Sequence, residues 1–162
     1  MRRFVIWILS DFTIDITDDD CKGVHVGGLI GGILTQVNVI NCSTKGNINL
    51  VINNGDSFQG AFVGGLIGKD TNLTKIQNSY ATGNIDVIYS GDEKIYVGYI
   101  SNGNAVIENC YRYNEQIISV PSDSEICKAG TSADMQTIWT FVSNTWDSEI
   151  WDLYTDKNPT LK

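Results

Sequence analysis

Val63-Gly64-Gly65-Leu66-Ile67-Gly68 is the stretch whose reading decides the fold. It has an earlier copy, Val26-Gly27-Gly28-Leu29-Ile30-Gly31, and a later, altered one, Val97-Gly98-Tyr99-Ile100-Ser101. The valines stand 37 and then 34 residues apart. Self-similarity at such a period is the signature of a repeat architecture. The pattern runs past the glycines. Ile40-Asn41-Cys42-Ser43, Gln77-Asn78-Ser79-Tyr80 and Glu108-Asn109-Cys110-Tyr111 align, and Lys45-Gly46-Asn47-Ile48 aligns with Thr82-Gly83-Asn84-Ile85. Each unit reads as short apolar runs separated by Gly and Asn, the residues that tolerate a left-handed backbone. Short extended runs with turns at fixed places suit one coil of a β-solenoid.

One coil buries too little apolar surface to offset its ordering entropy, so coils must stack. Stacking predicts columns of equivalent side chains: Val26, Val63 and Val97 in one, Leu29, Leu66 and Ile100 in a second, Ile48 and Ile85 in a third. Asn41, Asn78 and Asn109 are expected to stack as an amide ladder. Along the strand Val63 and Ile67 share parity and Leu66 does not, so the double glycine is expected to bend or bulge the chain.

The Val-Gly-Gly-Leu-Ile-Gly core, the run Ile76-Gln77-Asn78-Ser79-Tyr80-Ala81-Thr82-Gly83-Asn84-Ile85, and the tail with Trp146-Asp147, Ile150-Trp151-Asp152 and Asn158-Pro159-Thr160-Leu161 resemble the GLUG-motif repeat proteins. The likeness covers residues 22–162. The first unit departs over Val39 to Lys45, and the third replaces a glycine by Tyr99 and lacks the Gly-Asn turn. Such repeats occur in large secreted or surface-anchored bacterial proteins, including adhesins and regions flanking immunoglobulin-A-cleaving zinc peptidases. The resemblance implies an extracellular or cell-surface bacterial setting, and it supplies no catalytic residues.

The 162 residues carry a formal charge of −8, which disfavours binding to nucleic-acid phosphates and to anionic lipid heads. The apolar run Phe4 to Leu9 is shorter than a signal-peptide core and far too short to span a bilayer. Ile14 precedes Val26 by the same 12 residues that separate Ile85 from Val97. Residues 1–21 therefore read as an incomplete N-terminal coil, residues 22–121 as the repeats, and the chain as part of a longer polypeptide. Past Pro121, Thr131 and Asp134 stand at capping-box spacing, and Met135, Ile138, Trp139 and Val142 make one apolar helical face, with Asn144 as a stop. Residues 122–162 are expected to form a C-terminal cap with one short amphipathic α-helix, covering the last coil's strand edges. The predicted fold class is all-β: a parallel β-solenoid of about three coils with a helical cap.

Chemistry-bearing residues are few. Asp18-Asp19-Asp20 could hold calcium, but lacks the alternating carboxylate spacing of a calcium loop and reads better as a solvated turn. Asp92-Glu93 occupies a similar turn. His25 is the single histidine and reads as a strand residue, so no zinc-hydrolase ligand set exists and no metal or cofactor is expected. Asp86 with Asp92 or Glu93 is the one carboxylate set conceivable for glycan cleavage. Cys42 and Cys110 hold the same repeat position with Ser79 between them. Two rungs of ~9–10 Å separate them, against the ~7 Å limit of a disulfide, so they should remain thiols. Cys21 and Cys127 are left unassigned. Asn41-Cys42-Ser43 and Asn72-Leu73-Thr74 match the glycosylation sequon. Tyr80 and Tyr111 stack in register, and with Tyr99 they are the candidate surface-binding residues for a host or bacterial glycan or protein. The competing reading is cross-strand aromatic pairing that stabilises the sheet. The expected function is a non-catalytic structural or adhesive module. The alternatives are a polysaccharide-acting enzyme, or a spacer beside a secreted metalloprotease domain outside this chain.

Overall fold

A computed structural model describes residues 9–18, 22–53, 58–112, 116–121, 125–127, 146–152 and 160–162. These residues are all-β with parallel sheets, an arrangement compatible with a β-solenoid. The first circuit contributes β1 (Leu9–Ser10), β2 (Ile14–Asp18), β3 (Val24–Gly27), β4 (Ile30–Gly32) and β5 (Asn38–Ile40). The second contributes β6 (Ser43–Thr44), β7 (Ile48–Ile52), β8 (Ala61–Gly64), β9 (Ile67–Lys69) and β10 (Lys75–Gln77). The third contributes β11 (Tyr80–Ala81), β12 (Ile85–Tyr89), β13 (Ile95–Gly98), a single bridge from Ser101 to Ile67, and β14 (Val106–Glu108). A partial fourth follows with β15 (Tyr111–Arg112), β16 (Ile118–Ser119) and β17 (Glu125–Cys127). Equivalent strands pair in parallel, giving the sheets β1-β6-β11-β15, β5-β10-β14, β2-β7-β12-β16, β3-β8-β13-β17 and β4-β9.

The registers place the repeat copies on top of one another. Val26 pairs with Val63 and Val63 with Val97. Ile14, Ile48, Ile85 and Ile118 form one continuous column, so the 12-residue spacing that Ile14–Val26 shares with Ile85–Val97 identified Ile14 correctly. Leu29 and Leu66 donate their N–H groups to Leu66 and Ile100 carbonyls, completing the second column. The interior divides into two apolar clusters. One is built on Val26, Val63, Val97, Ile48 and Ile85, the other on Leu66, Ile67, Ile76 and Ile100. Each fully buried aliphatic side chain contributes about 1.5–3 kcal/mol, and the columns supply many.

The double glycine sits at the junction of these clusters. It is a corner rather than a bulge: β8 ends at Gly64, β9 starts at Ile67, and Val63 faces one cluster while Leu66 and Ile67 face the other. The turn is so tight that a Cβ on Gly65 would meet the Tyr99 carbonyl oxygen of the next circuit and the Ala81 side chain. At the third corner Tyr99 carries a side chain in this place, half-buried, with the Arg112 guanidinium 4.0 Å over its ring.

Asparagine answers a second backbone demand. Asn41, Asn78 and Asn109 have φ of 59°, 48° and 51°, and they are the only non-glycine residues with positive φ among those described. Asn is the side-chain-bearing residue best suited to that region. The amide ladder is present between Asn109 and Asn78, at 3.4 Å. The Gly-Asn turn has its own logic. Asn47 Oδ1 accepts the Asn84 N–H at 2.8 Å, and Asn84 Oδ1 accepts the Ile117 N–H at 2.9 Å. Each amide thus serves the circuit stacked on it, and Ile117 stands where the pattern drops out.

The α-helix expected over 131–144 lies outside the described residues, as do Asp19, Asp20 and Cys21. Within residues 122–162, expected wholly as a cap, β17 instead continues the stack by pairing in parallel with β13, and the described remainder is Trp146 to Asp152 and Thr160 to Lys162, with β18 (Trp151–Asp152) paired antiparallel to β19 (Thr160–Leu161). Trp146, Ile150 and Trp151 pack on Tyr80 and Tyr111. Those tyrosines lie on the opposite face of their strands from Ala81 and Cys110, which belong to the interior. This part of the segment therefore covers the flank of the β6-β11-β15 sheet, where an end cap over strand edges was expected.

Candidate binding surface

The expected aromatic binding row is not on the surface. Tyr80 and Tyr111 pair in register, but their exposures are 0% and 4%. They form an aromatic cluster with Trp146 and Trp151, with ring centroids 4.6–6.1 Å apart. Burial pushes both phenols up to about 12, so they stay neutral across the physiological range. The physical reason is facing: Tyr80 follows a left-handed Asn by two residues and points away from the interior, into the tryptophans. Tyr99 is half-buried beneath Arg112.

The outward aromatic column lies elsewhere, one residue before each valine of the glycine core. His25 pairs with Phe62 and Phe62 with Tyr96. Alternation buries Val24, Val26, Ala61, Val63, Ile95 and Val97 and turns the residues between them outward. Phe62 and Tyr96 stack with centroids 5.0 Å apart at 11°, and His25 meets Phe62 edge-on at 5.4 Å. The Lys69 ammonium sits 4.2 Å over the Phe62 ring. Partial desolvation by the neighbouring side chains, then the Lys69 charge, lowers the pKa of the exposed His25 below its ordinary 6.5, so the imidazole is mostly neutral at pH 7. The alignment of the copies held the signal for this column, because His, Phe and Tyr share one offset from the repeated Val.

Other candidates resolve as follows. Asp86 is exposed on β12, and Asp92 and Glu93 are exposed on the bend before β13. Among the described residues no group of three or more His, Cys, Asp or Glu is placed to hold a metal. Asp18 ends β2. Cys42 and Cys110 are both buried and not joined in a disulfide, as the rung count required. Burial pushes the Cys110 thiol up to about 12. Asn41 is buried in its left-handed turn, whereas Asn72 is exposed.

Sequence reasoning missed Asp70. It is buried at 7% exposure and ties the second circuit to the third. Its carboxylate accepts a hydrogen bond from the Ser101 hydroxyl and another from the Ala105 N–H at 2.9 Å. Gly103 passes so close that a Cβ there would strike the carboxylate. This is a structural tie, because both its donors belong to the loop it holds.

No family model, no curated protein and no solved structure matches this chain. The class that the coordinates define is an all-β protein of stacked parallel sheets, with one outward aromatic column and its ammonium partner.

Proposed function

We propose that this chain is a parallel β-solenoid of about three coils closed by the segment that follows β17. It would serve as a non-catalytic structural or adhesive module of a bacterial cell-surface or secreted protein. The reading rests on one observation: the residues that distinguish the repeat are used by the stacking itself. Gly65 makes room for the next circuit, Asn78 takes the left-handed turn, Asn47 and Asn84 cap backbone donors, and Asp70 holds a loop. The resemblance of the glycine core and tail to GLUG-motif repeats supports the surface setting. Among the described residues no helix is long and apolar enough to cross a membrane.

Incubating the purified protein with a panel of host and bacterial glycans tests the reading. Retention without product release is the expected result. Release of shortened glycans would make it a polysaccharide-acting enzyme and overturn the proposal. Neither retention nor release would leave the spacer role and remove the adhesive one.

A further inference from the structure

The loop between β9 and β10 carries Asp70-Thr71-Asn72-Leu73-Thr74, which contains one of the chain's two glycosylation sequons. The fold separates the two. Asn41 is buried at a left-handed turn with φ of 59°, and Cys42 beside it is wholly inside. An oligosaccharide on Asn41 would keep the first and second circuits apart. Asn72 is exposed, at the tip of a tight turn. Thr74 closes that turn by donating its N–H to the Thr71 carbonyl at 2.9 Å. The Thr71 hydroxyl accepts the Leu73 N–H at 3.3 Å, and the Thr71 N–H donates to the Thr74 hydroxyl at 3.4 Å. Just before the turn, Asp70 is tied to the loop of the third circuit. The base is therefore held, and the Asn72 side chain is carried at the tip. The turn also stands on an apolar ridge. Leu73 is 57% exposed, and Leu34, in the equivalent loop between β4 and β5, is 86% exposed. A bulky hydrophilic group on Asn72 would screen these side chains.

We propose that Asn72 is an N-glycosylation site, taking an oligosaccharide from a polyprenyl-diphosphate donor as the chain is exported. The inference rests on the surface reading, because export brings the chain to the membrane face where such donors are used. Transfer joins Asn72 Nδ2 to the anomeric carbon of the sugar. The C–O bond to the diphosphate breaks, its electron pair leaves on the diphosphate, and Nδ2 gives up one proton. The fold sets the order of events. In the folded chain Thr74 is buried, and the Asp70 carboxylate is committed to Ser101 and Ala105. An oligosaccharyltransferase reads the hydroxyl two places after the asparagine and, in bacteria, a carboxylate two places before it. It must therefore act before the second circuit closes. Asn41 has Val39 where Asn72 has Asp70. Asn72 alone of the two then carries its sugar into solvent once the circuits have stacked.

The test exports the full chain, behind a cleavable leader, from a bacterial cell supplied with an oligosaccharyltransferase and its lipid-linked oligosaccharide. A control acceptor peptide in the same cells shows that the transferase is active. Mass spectrometry of the intact protein should find the mass of one oligosaccharide added, on the tryptic peptide that spans Asp70 to Lys75. Asn72→Gln should abolish the added mass and leave the far-UV circular dichroism unchanged, because the side chain is exposed. The glycosylated chain should bind a hydrophobic-interaction matrix less than Asn72→Gln does, and equal binding would overturn the screening of Leu73 and Leu34. An unmodified chain beside a modified control, a sugar on Asn41 in a chain that folds, or a sugar on Asn72 that prevents folding would each overturn the site. These outcomes are independent of the glycan panel. The site can fail while the adhesive reading stands, and an empty glycan panel would remove adhesion while leaving Asn72 to be decided by its own mass.

Discussion

Gly65 and Asn78 hold one position each in the repeat, for different reasons. Gly65 lacks room, because the next circuit's Tyr99 carbonyl and the Ala81 side chain occupy the space of a Cβ. Asn78 has a side chain but needs a left-handed backbone, with φ of 48°. The two therefore respond oppositely to substitution. Asn78→Gly should be nearly neutral, whereas Asn78→Ala should cost about 1 kcal/mol for forcing an ordinary residue into that region. Gly65→Ala should cost about 1–3 kcal/mol, the usual range for overpacking. Urea unfolding of the three variants decides the matter, and a Gly65→Ala protein as stable as the parent would sink the steric account. Both residue types were visible in the aligned copies. Which of them answered crowding and which answered φ was not, because that depends on the atoms of the neighbouring circuit.

The C-terminal segment acts at the scale of an element. Its contacts with Tyr80 and Tyr111 run through Trp146, Ile150 and Trp151, and Trp151 is 1% exposed. Trp151→Ala should cost about 3–5 kcal/mol, as for other buried aromatic truncations. The same change should expose Tyr80 and lower its titration midpoint from about 12 toward the ordinary value of 10.0, because burial is the main cause of the shift. Ultraviolet difference titration reads that midpoint, and an unchanged one would show that the segment is not what buries the phenol. The spacing of Tyr80 and Tyr111 correctly announced their pairing. It could not announce their cover, because a strand's two faces look alike until the partner surface is placed. The tail's apolar residues were legible as a packing segment, but the flank they occupy was not.

At the scale of the whole molecule, the outward column sets a local electrostatic balance. Lys69 is one cause of the lowered His25 pKa, so Lys69→Met should raise that pKa toward 6.5, read by NMR titration of the single histidine. The sign for stability follows. The folded chain binds fewer protons at His25 than the unfolded chain, so stability falls as pH drops through the unfolded value near 6.5. His25 is exposed, so solvent screening keeps this effect small. A second whole-molecule outcome concerns Cys42 and Cys110. Both are buried thiols, so alkylation by iodoacetamide should await global unfolding. Rapid labelling of either in the folded state would contradict the packed interior. By itself the sequence determined the period, the parallel registers of Val26, Val63 and Val97, and the places of Ile14, Ile48 and Ile85, because repeat spacing converts directly into rung spacing when coils stack. Only the tertiary structure decided which aromatics face outward, how Asp70 is satisfied, and what lies over Tyr80. Those outcomes depend on the corner at Gly64-Gly65 and the left-handed turns at Asn78 and Asn109, which reset side-chain facing through contacts between residues more than thirty positions apart.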